Sequence, residues 1–370
     1  MYEEENENEK IIIIDIGTSQ SKIGFGGGGG PDIVPTCSGY EKPKYQESRY
    51  YWNRADYYKT INKNYSYPIK NGIITDFYEI KNFFNNIFEN NLRVLPQDCK
   101  FFITQPIFNP KDKMEELARF MFDYRYGYEV PALYIGNQAV LSLLSKGIST
   151  GFSLESGEGV TQLVPVYEGF ALKYAAKKFS LSGRDLSEFM LSLLREKHYR
   201  FSSLSEINIA KLIKENLCYV AENYEKEKYT VEITDYELSD GNSIKIKEEK
   251  YICPEALFNL TKMGKEGEGI VEACYNLIQK CDDDLKSEMF GNIVLSGGNT
   301  KFKGFDNRFL LEMNKKVNDK FKIKIHDVNK IKAVWEGANY ISMLPFMESN
   351  WITKDEYEEY GSAIVHRKCF

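Results

Sequence analysis

The chain is poor in the residues that build metal centres and catalytic triads. It has three histidines in 370 residues, at 198, 326 and 366, and none stands at metal-ligand spacing from another. Its seven cysteines (Cys37, Cys99, Cys218, Cys253, Cys274, Cys281 and Cys369) are odd in number and scattered. No C-x-x-C pair occurs, so neither a zinc site nor a redox dithiol is supported. They read instead as reduced thiols packed as small hydrophobes in a reducing compartment. No apolar run reaches the ~20 residues of a membrane span, and the acidic start Tyr2-Glu3-Glu4-Glu5-Asn6-Glu7 is the opposite of a signal peptide's basic region. Basic charge is not in excess either. The 48 Lys and Arg against 54 Asp and Glu leave a net charge of −6, which argues against a nucleic-acid-coating protein. No G-x-x-x-x-G-K-[ST] run is present, which disfavours a P-loop enzyme. The expectation is a soluble, intracellular protein of about two domains. Long Pro- or Ser-rich linkers are missing too, so several crossings of the chain should join the two.

What is there begins with Ile11-Ile12-Ile13-Ile14, a β-branched run that ends at Asp15 and reads as a buried strand. Gly17-Thr18-Ser19-Gln20-Ser21-Lys22 turns the chain back into Ile23-Gly24-Phe25. This hairpin presents backbone N–H groups and hydroxyls at its tip. A second one follows at 151–161, Gly151-Phe152-Ser153-Leu154-Glu155-Ser156-Gly157-Glu158-Gly159-Val160-Thr161, with the same strand, acid-x-Gly, return-strand order. Two such hairpins suggest an internal duplication with two similar halves facing each other. Ile293-Val294-Leu295-Ser296 leads into a third glycine signal, Gly297-Gly298-Asn299-Thr300, where a backbone can lie flat against a ligand. Gly26 to Gly30 could cradle a phosphate, but its plainer reading is a turn. Between these signals, Lys111 to Phe122, Asn137 to Leu144, Arg184 to Leu194 and Ile207 to Ala221 carry apolar residues at i, i+3, i+4 spacing. Strands alternating with such helices indicate an α/β architecture. Tyr236 to Ile244 reads as a hairpin with an Asp-Gly turn at an exposed tip.

Opposed loops of this kind suit a nucleoside triphosphate with a divalent metal. Hydroxyls and N–H groups take phosphate oxygens, and Lys22 adds a point charge. Carboxylates such as Asp15, Glu155 and Glu158 would hold magnesium through its retained waters, because magnesium dehydrates reluctantly.

At this point the sequence resembles the actin family. Tyr67-Pro68-Ile69, Leu92-Arg93-Val94, Asn109-Pro110-Lys111 and Gln138-Ala139-Val140-Leu141-Ser142-Leu143 carry the likeness. So do Gly183-Arg184-Asp185-Leu186, Leu217-Cys218-Tyr219-Val220-Ala221, Cys253-Pro254-Glu255-Ala256-Leu257-Phe258 and the end Ile364-Val365-His366-Arg367-Lys368-Cys369-Phe370. The resemblance runs in order from about residue 11 to 370. It implies an actin-like ATPase fold: two similar α/β domains, each with a smaller subdomain, around a cleft for ATP or ADP and magnesium or calcium. The expected outer domain is 1–145 with 333–370, carrying subdomain 36–67; the inner is 146–332, carrying subdomain 182–265. Asp15, Gly17, Thr18 and Lys22 fall on the first phosphate loop, and Ser156, Gly157, Glu158, Gly159 and Val160 on the second. Gly183, Lys214 and Glu215 match purine and ribose contacts; Gly297, Gly298, Asn299 and Phe302 match the adenosine loop. Gln138 falls where the family positions the attacking water, with Glu155 and Asp15 beside it, and Asp15 and Glu158 are the expected metal carboxylates, acting through water.

The departures matter as much. The family has aspartate where this chain has Glu155 and Glu158, histidine at Gln162, glycine at Ser19, lysine at Ile331 and a methylated histidine at Asn71. A carboxylate moved by about 1 Å can cost ~100-fold in rate, so nucleotide binding is expected to survive and hydrolysis to be weak or slow. The family's apolar subunit-gripping loop is shortened and replaced by Glu41-Lys42-Pro43-Lys44-Tyr45-Gln46-Glu47-Ser48-Arg49. The aromatic run Tyr50 to Tyr58 follows it, in a chain whose aromatic content is already high at 14%. The apolar interstrand plug becomes Thr261-Lys262-Met263-Gly264-Lys265-Glu266. The base of the interdomain cleft keeps Leu144, Phe170, Ile341 and Leu344, where actin-binding proteins would dock, while Asn350 replaces an apolar residue. Two readings follow: a divergent cytoskeletal actin-like protein that meets itself or actin in filaments, or a non-polymerising subunit that caps, nucleates or joins a complex. A sugar-phosphorylating kinase of the same superfamily fits poorly. The expected location is the cytoplasm, at the cytoskeleton, with the nucleus as the alternative.

Overall fold

The computed structural model describes residues 10–41, 48–50, 64–125, 127–197, 199, 206–238, 241–317 and 319–369. The acidic start, most of the replaced subunit loop, the aromatic run from Tyr51 onward and the Ser239-Asp240 part of the hairpin tip lie outside these residues.

The run of isoleucines is a strand, Lys10–Asp15, and Ile12, Ile13 and Ile14 are inaccessible to solvent. It is buried because it lies at the centre of a six-stranded sheet. The strand order is Asp32–Pro35, Gln20–Phe25, Lys10–Asp15, Cys99–Gln105, Ala132–Asn137 and Ile352–Thr353. The first hairpin is antiparallel, and the next two steps are parallel, with Ile13 beside Gly24 on one side and Phe102 on the other. A second sheet repeats this plan. It runs Phe170–Ala171, Thr161–Tyr167, Gly151–Ser156, Ile293–Ser296 and Ile325–His326, with Lys177–Phe179 also pairing to Thr161–Tyr167. Its hairpin is antiparallel and its following steps parallel, so order and sense match the first sheet. The duplication expected from the two acid-x-Gly hairpins is thus written into the topology. The fold is a mixed α/β, two-domain one.

Three of the four sequence-marked helices fall close to their expected bounds, at Lys111–Phe122, Gln138–Leu144 and Gly183–Glu196. The fourth is Glu206–Leu217 and stops short of Ala221. Beyond it the backbone is taken by other partners: Tyr219 N–H donates to Lys250 O at 3.0 Å and Val220 N–H to Lys303 O at 2.8 Å. Apolar spacing cannot register such capture. Gly26 to Gly30 is a turn, with Gly28 N–H donating to Phe25 O, and it stands away from the cleft. All seven cysteines are buried and free. Among the described residues no helix is long and apolar enough to cross a membrane.

The helix Gln138–Leu144 joins the halves. Asn137 caps it, accepting from Ala139 N–H at 3.0 Å. Ala139, Val140 and Leu143 pack with Val164, Val166 and Val294 of the second sheet, whereas Leu141 belongs to the core of the first. Ser142 and Ser153 hydroxyls meet at 2.7 Å, pinning the helix to the second sheet. The helix Ala333–Ser342 crosses it at Gly337 and is held to the first sheet by Trp335, whose Nε1–H donates to Ile13 O at 3.2 Å. A Cβ at residue 337 would lie 1.8 Å from Leu141 O, so no side chain fits between the helices. Gly337→Ala should therefore lower stability by about 3 kcal/mol, since overpacked cores cost on that order. A urea midpoint equal to the wild type's would refute this account of the joint.

Candidate functional site

The two hairpin tips face each other across one cleft, a cavity of about 850 Å³. Their approach is close enough to fix residue choice. A Cβ on Gly159 would sit 2.2 Å from Thr18 Oγ1, so the second loop can meet the first only with glycine there. Thr18 Oγ1 also accepts from Gly72 N–H at 3.2 Å. Gly297, at φ 87°, runs so near the second hairpin that a Cβ would meet Ser156 O at 2.3 Å.

On the floor of the cleft lies a buried polar network. Asp15 pairs with Lys22 at 3.0 Å and accepts from Thr104 Oγ1 at 2.7 Å. Gln138, 5% exposed, reaches Thr104 Oγ1 with its amide nitrogen at 3.2 Å and Asp15 at 3.4 Å. Its amide oxygen accepts from Gln162 Nε2 at 3.4 Å. Gln162 is the cross-strand partner of Glu155 and donates to its carboxylate at 2.7 Å. Its own Oε1 accepts from Ile107 N–H, in the first half, at 3.1 Å. The network therefore spans both halves.

Burial is the main cause that pushes the Glu155 carboxyl up to about 7, and the negative charge of Asp15 adds to it; the Gln162 bond and Lys22 oppose. Glu158 goes the other way. Burial works against its charge, but Lys214 at 3.5 Å and Lys211 at 3.7 Å outweigh it and hold the group below the usual carboxylate range. Lys214 is itself fixed by Gly183 O at 2.7 Å and Ser187 Oγ at 2.8 Å.

Of the residues singled out in the sequence, Asp15, Gly17, Thr18 and Lys22 line the cleft from the first loop, and Glu155, Gly157, Glu158, Gly159 and Val160 from the second. Gln138, Lys214, Glu215, Gly298, Asn299 and Phe302 line it as well. Ser156, Gly183 and Gly297 stand behind the wall and position it. Ser156 Oγ accepts from Asn299 Nδ2 at 3.0 Å, and Gly183 N–H donates to Gly157 O at 2.8 Å. Ser19 and Ile331, noted as departures, are also on the wall. Sequence reasoning missed Leu212, Tyr236, Glu237 and Leu238. The last three end the first strand of the hairpin Thr234–Glu237 and Ser243–Ile246 and lead into its turn. Gly241, Asn242 and Ser243 beyond the turn are exposed, as expected of the tip, and no local pattern could have signalled that the strand end before it lines the cleft. Leu212 shares a helix with Lys214 and Glu215, a spacing that would have found it.

Among the described residues no group of three or more His, Cys, Asp or Glu could hold a metal ion directly. A cation here would keep its waters.

Two sheets of matching order, hinged on one helix pair and closing two glycine loops over a polar cleft, define a two-lobed α/β clamp. A family model described as actin matches residues 6–370. The chain belongs to the actin family.

Glu155 gives a pH prediction. Between the ordinary glutamate range and about 7 the folded protein holds a proton that the unfolded chain has released, so stability falls as pH rises through that window. Urea midpoints measured from pH 5 to 8 should show this fall, and Glu155→Gln should flatten it. An equal slope in the variant would contradict the assignment.

Proposed function

We propose that the chain binds ATP or ADP with magnesium, or calcium in its place, in the interdomain cleft and hydrolyses ATP slowly as a divergent actin-like protein. One observation carries this reading: the two acid-x-Gly hairpins meet tip to tip, Thr18 against Gly159, over a cavity that Lys22 and Lys214 also line. N–H groups and hydroxyls of the tips receive phosphate oxygens. Leu212, Tyr236, Leu238, Phe302 and Ile331 supply an apolar wall suited to a purine. The expected metal carboxylates are Asp15 and Glu158. Glu158 already faces two lysines, so Glu155, which repels Asp15, gains more from a hydrated cation placed between them. Bound magnesium-ATP supplies the transferable phosphoryl group and neutralises its charge. Gln138 and Gln162 orient a water, and Glu155 accepts its proton. In this reading the outer domain comprises 1–145 and 333–370 with subdomain 36–67, and the inner comprises 146–332 with subdomain 182–265.

The cellular role follows the family: a cytoskeletal, cytoplasmic protein, with partners docking at Leu144, Phe170, Ile341 and Leu344. There Phe170, Met343 and Phe346 expose more than half of their surface. One observation favours the second reading, a non-polymerising subunit. The Lys262 ammonium lies 3.9 Å over the Tyr224 ring and Lys265 pairs with Asp185 at 3.6 Å. The segment at the family's plug is thus charged and tied to its own chain, not free to enter an apolar neighbour. Sedimentation of the purified protein, alone and with actin, decides between the two.

The purified protein should retain magnesium-ATP yet release phosphate more slowly than actin; release at actin's rate would refute slow hydrolysis. Glu155→Asp combined with Gln162→His should raise the rate roughly 10–100-fold. Glu155→Gln should remove most of the phosphate-release rate.

A further inference from the structure

Ser19 and Lys211 stand on opposite halves of the protein, 192 residues apart in sequence, yet Lys211 Nζ donates to Ser19 Oγ at 2.7 Å. The same ammonium is 3.7 Å from Glu158 Oε1, and its side chain is 7% exposed. Ser19 belongs to the first loop, Glu158 to the second, and Lys211 to the helix Glu206–Leu217. A buried ammonium must keep its partners, because an uncompensated charge in that position is costly. Moving the halves apart would part Ser19 from Glu158 and leave Lys211 short of one of them. The neighbouring Lys214 cannot substitute, being fixed on Gly183 O and Ser187 Oγ.

We propose that Lys211 is a positioning residue that bolts Ser19 of the first loop to Glu158 of the second and thereby slows nucleotide release. The inference rests on the nucleotide reading above. A ligand whose phosphates lie beneath Thr18 and Gly159 leaves only when the loops part, and the bolt adds its breakage to that step. Serine at position 19 is what the device needs, since a glycine there has no hydroxyl to offer the ammonium.

The test is release of a fluorescent ATP analogue from the purified protein in magnesium, compared for wild type, Ser19→Ala, Lys211→Met, the double variant and Lys211→Arg. Loss of one charge-assisted hydrogen bond should speed release about tenfold in Ser19→Ala. The double variant should release no faster than Lys211→Met, because both changes break one link, and Lys211→Arg should stay slow. Unchanged release in Ser19→Ala, or single effects that multiply in the double variant, would overturn the bolt. Amide hydrogen exchange at 157–160, measured without added nucleotide, provides a second readout. Faster exchange in Ser19→Ala supports the bolt even if the wild type binds no nucleotide, a result that would defeat the nucleotide reading alone. Exchange equal to the wild type's overturns the bolt.

Discussion

The contact of Gly337 against the carbonyl of Leu141 fixes how the two halves can sit. Because no atom fits between the helices there, Ala333–Ser342 lies directly on Gln138–Leu144, and the latter touches both cores at once. A seven-residue helix has little stability of its own; it exists because apolar residues of one sheet and the close-packed partner helix hold it from opposite sides. Gln138 begins this helix. The element that joins the halves therefore also delivers the Gln138 amide to the cleft floor.

The charges follow from that geometry. Bringing two similar hairpins tip to tip places an acid from each half near the other, Asp15 and Glu155, with Lys22 bound to one of them. Two buried carboxylates with a single nearby lysine cannot both ionise cheaply, and Glu155, the one without a direct lysine contact, yields. Its longer side chain reaches Gln162, and that amide is anchored in turn to Ile107 of the other half. Two of the departures from the family pattern, Glu155 and Gln162, are thus bonded to each other. Glu158 shows the opposite balance: two lysines overcome its burial, so it serves as an anchor for the helix Glu206–Leu217.

The cleft wall carries Lys22, Lys214 and Gln138, with Ser19 and Ile331 as departures from the family pattern. The segment 260–266 has become charged and folds its lysines onto Tyr224 and Asp185 of the same chain. A protein can change its outer contacts freely while the cleft is held by close packing, since surface substitutions cost little and core ones cost much.

Much was legible in the sequence because it depends on neighbours along the chain. The isoleucine run, the acid-x-Gly turns, the helical spacing of Lys111 to Phe122 and the order of family segments gave the strands, the loops, the helices and the two-domain class. Local pattern also placed Asp15, Lys22 and Glu158 at the cleft, and the family resemblance added Thr18 and Gln138. It could not show that Gln162 spans both halves, that Tyr236 and Leu238 line the cleft, or that Lys211 reaches Ser19. Nor could it show that the helix from Glu206 ends at Leu217, where distant carbonyls take the backbone. Those facts are contacts between segments many residues apart. Tertiary structure alone decided them, because hydrophobic period and turn chemistry act over a few residues, while burial and charge depend on whatever the fold brings alongside.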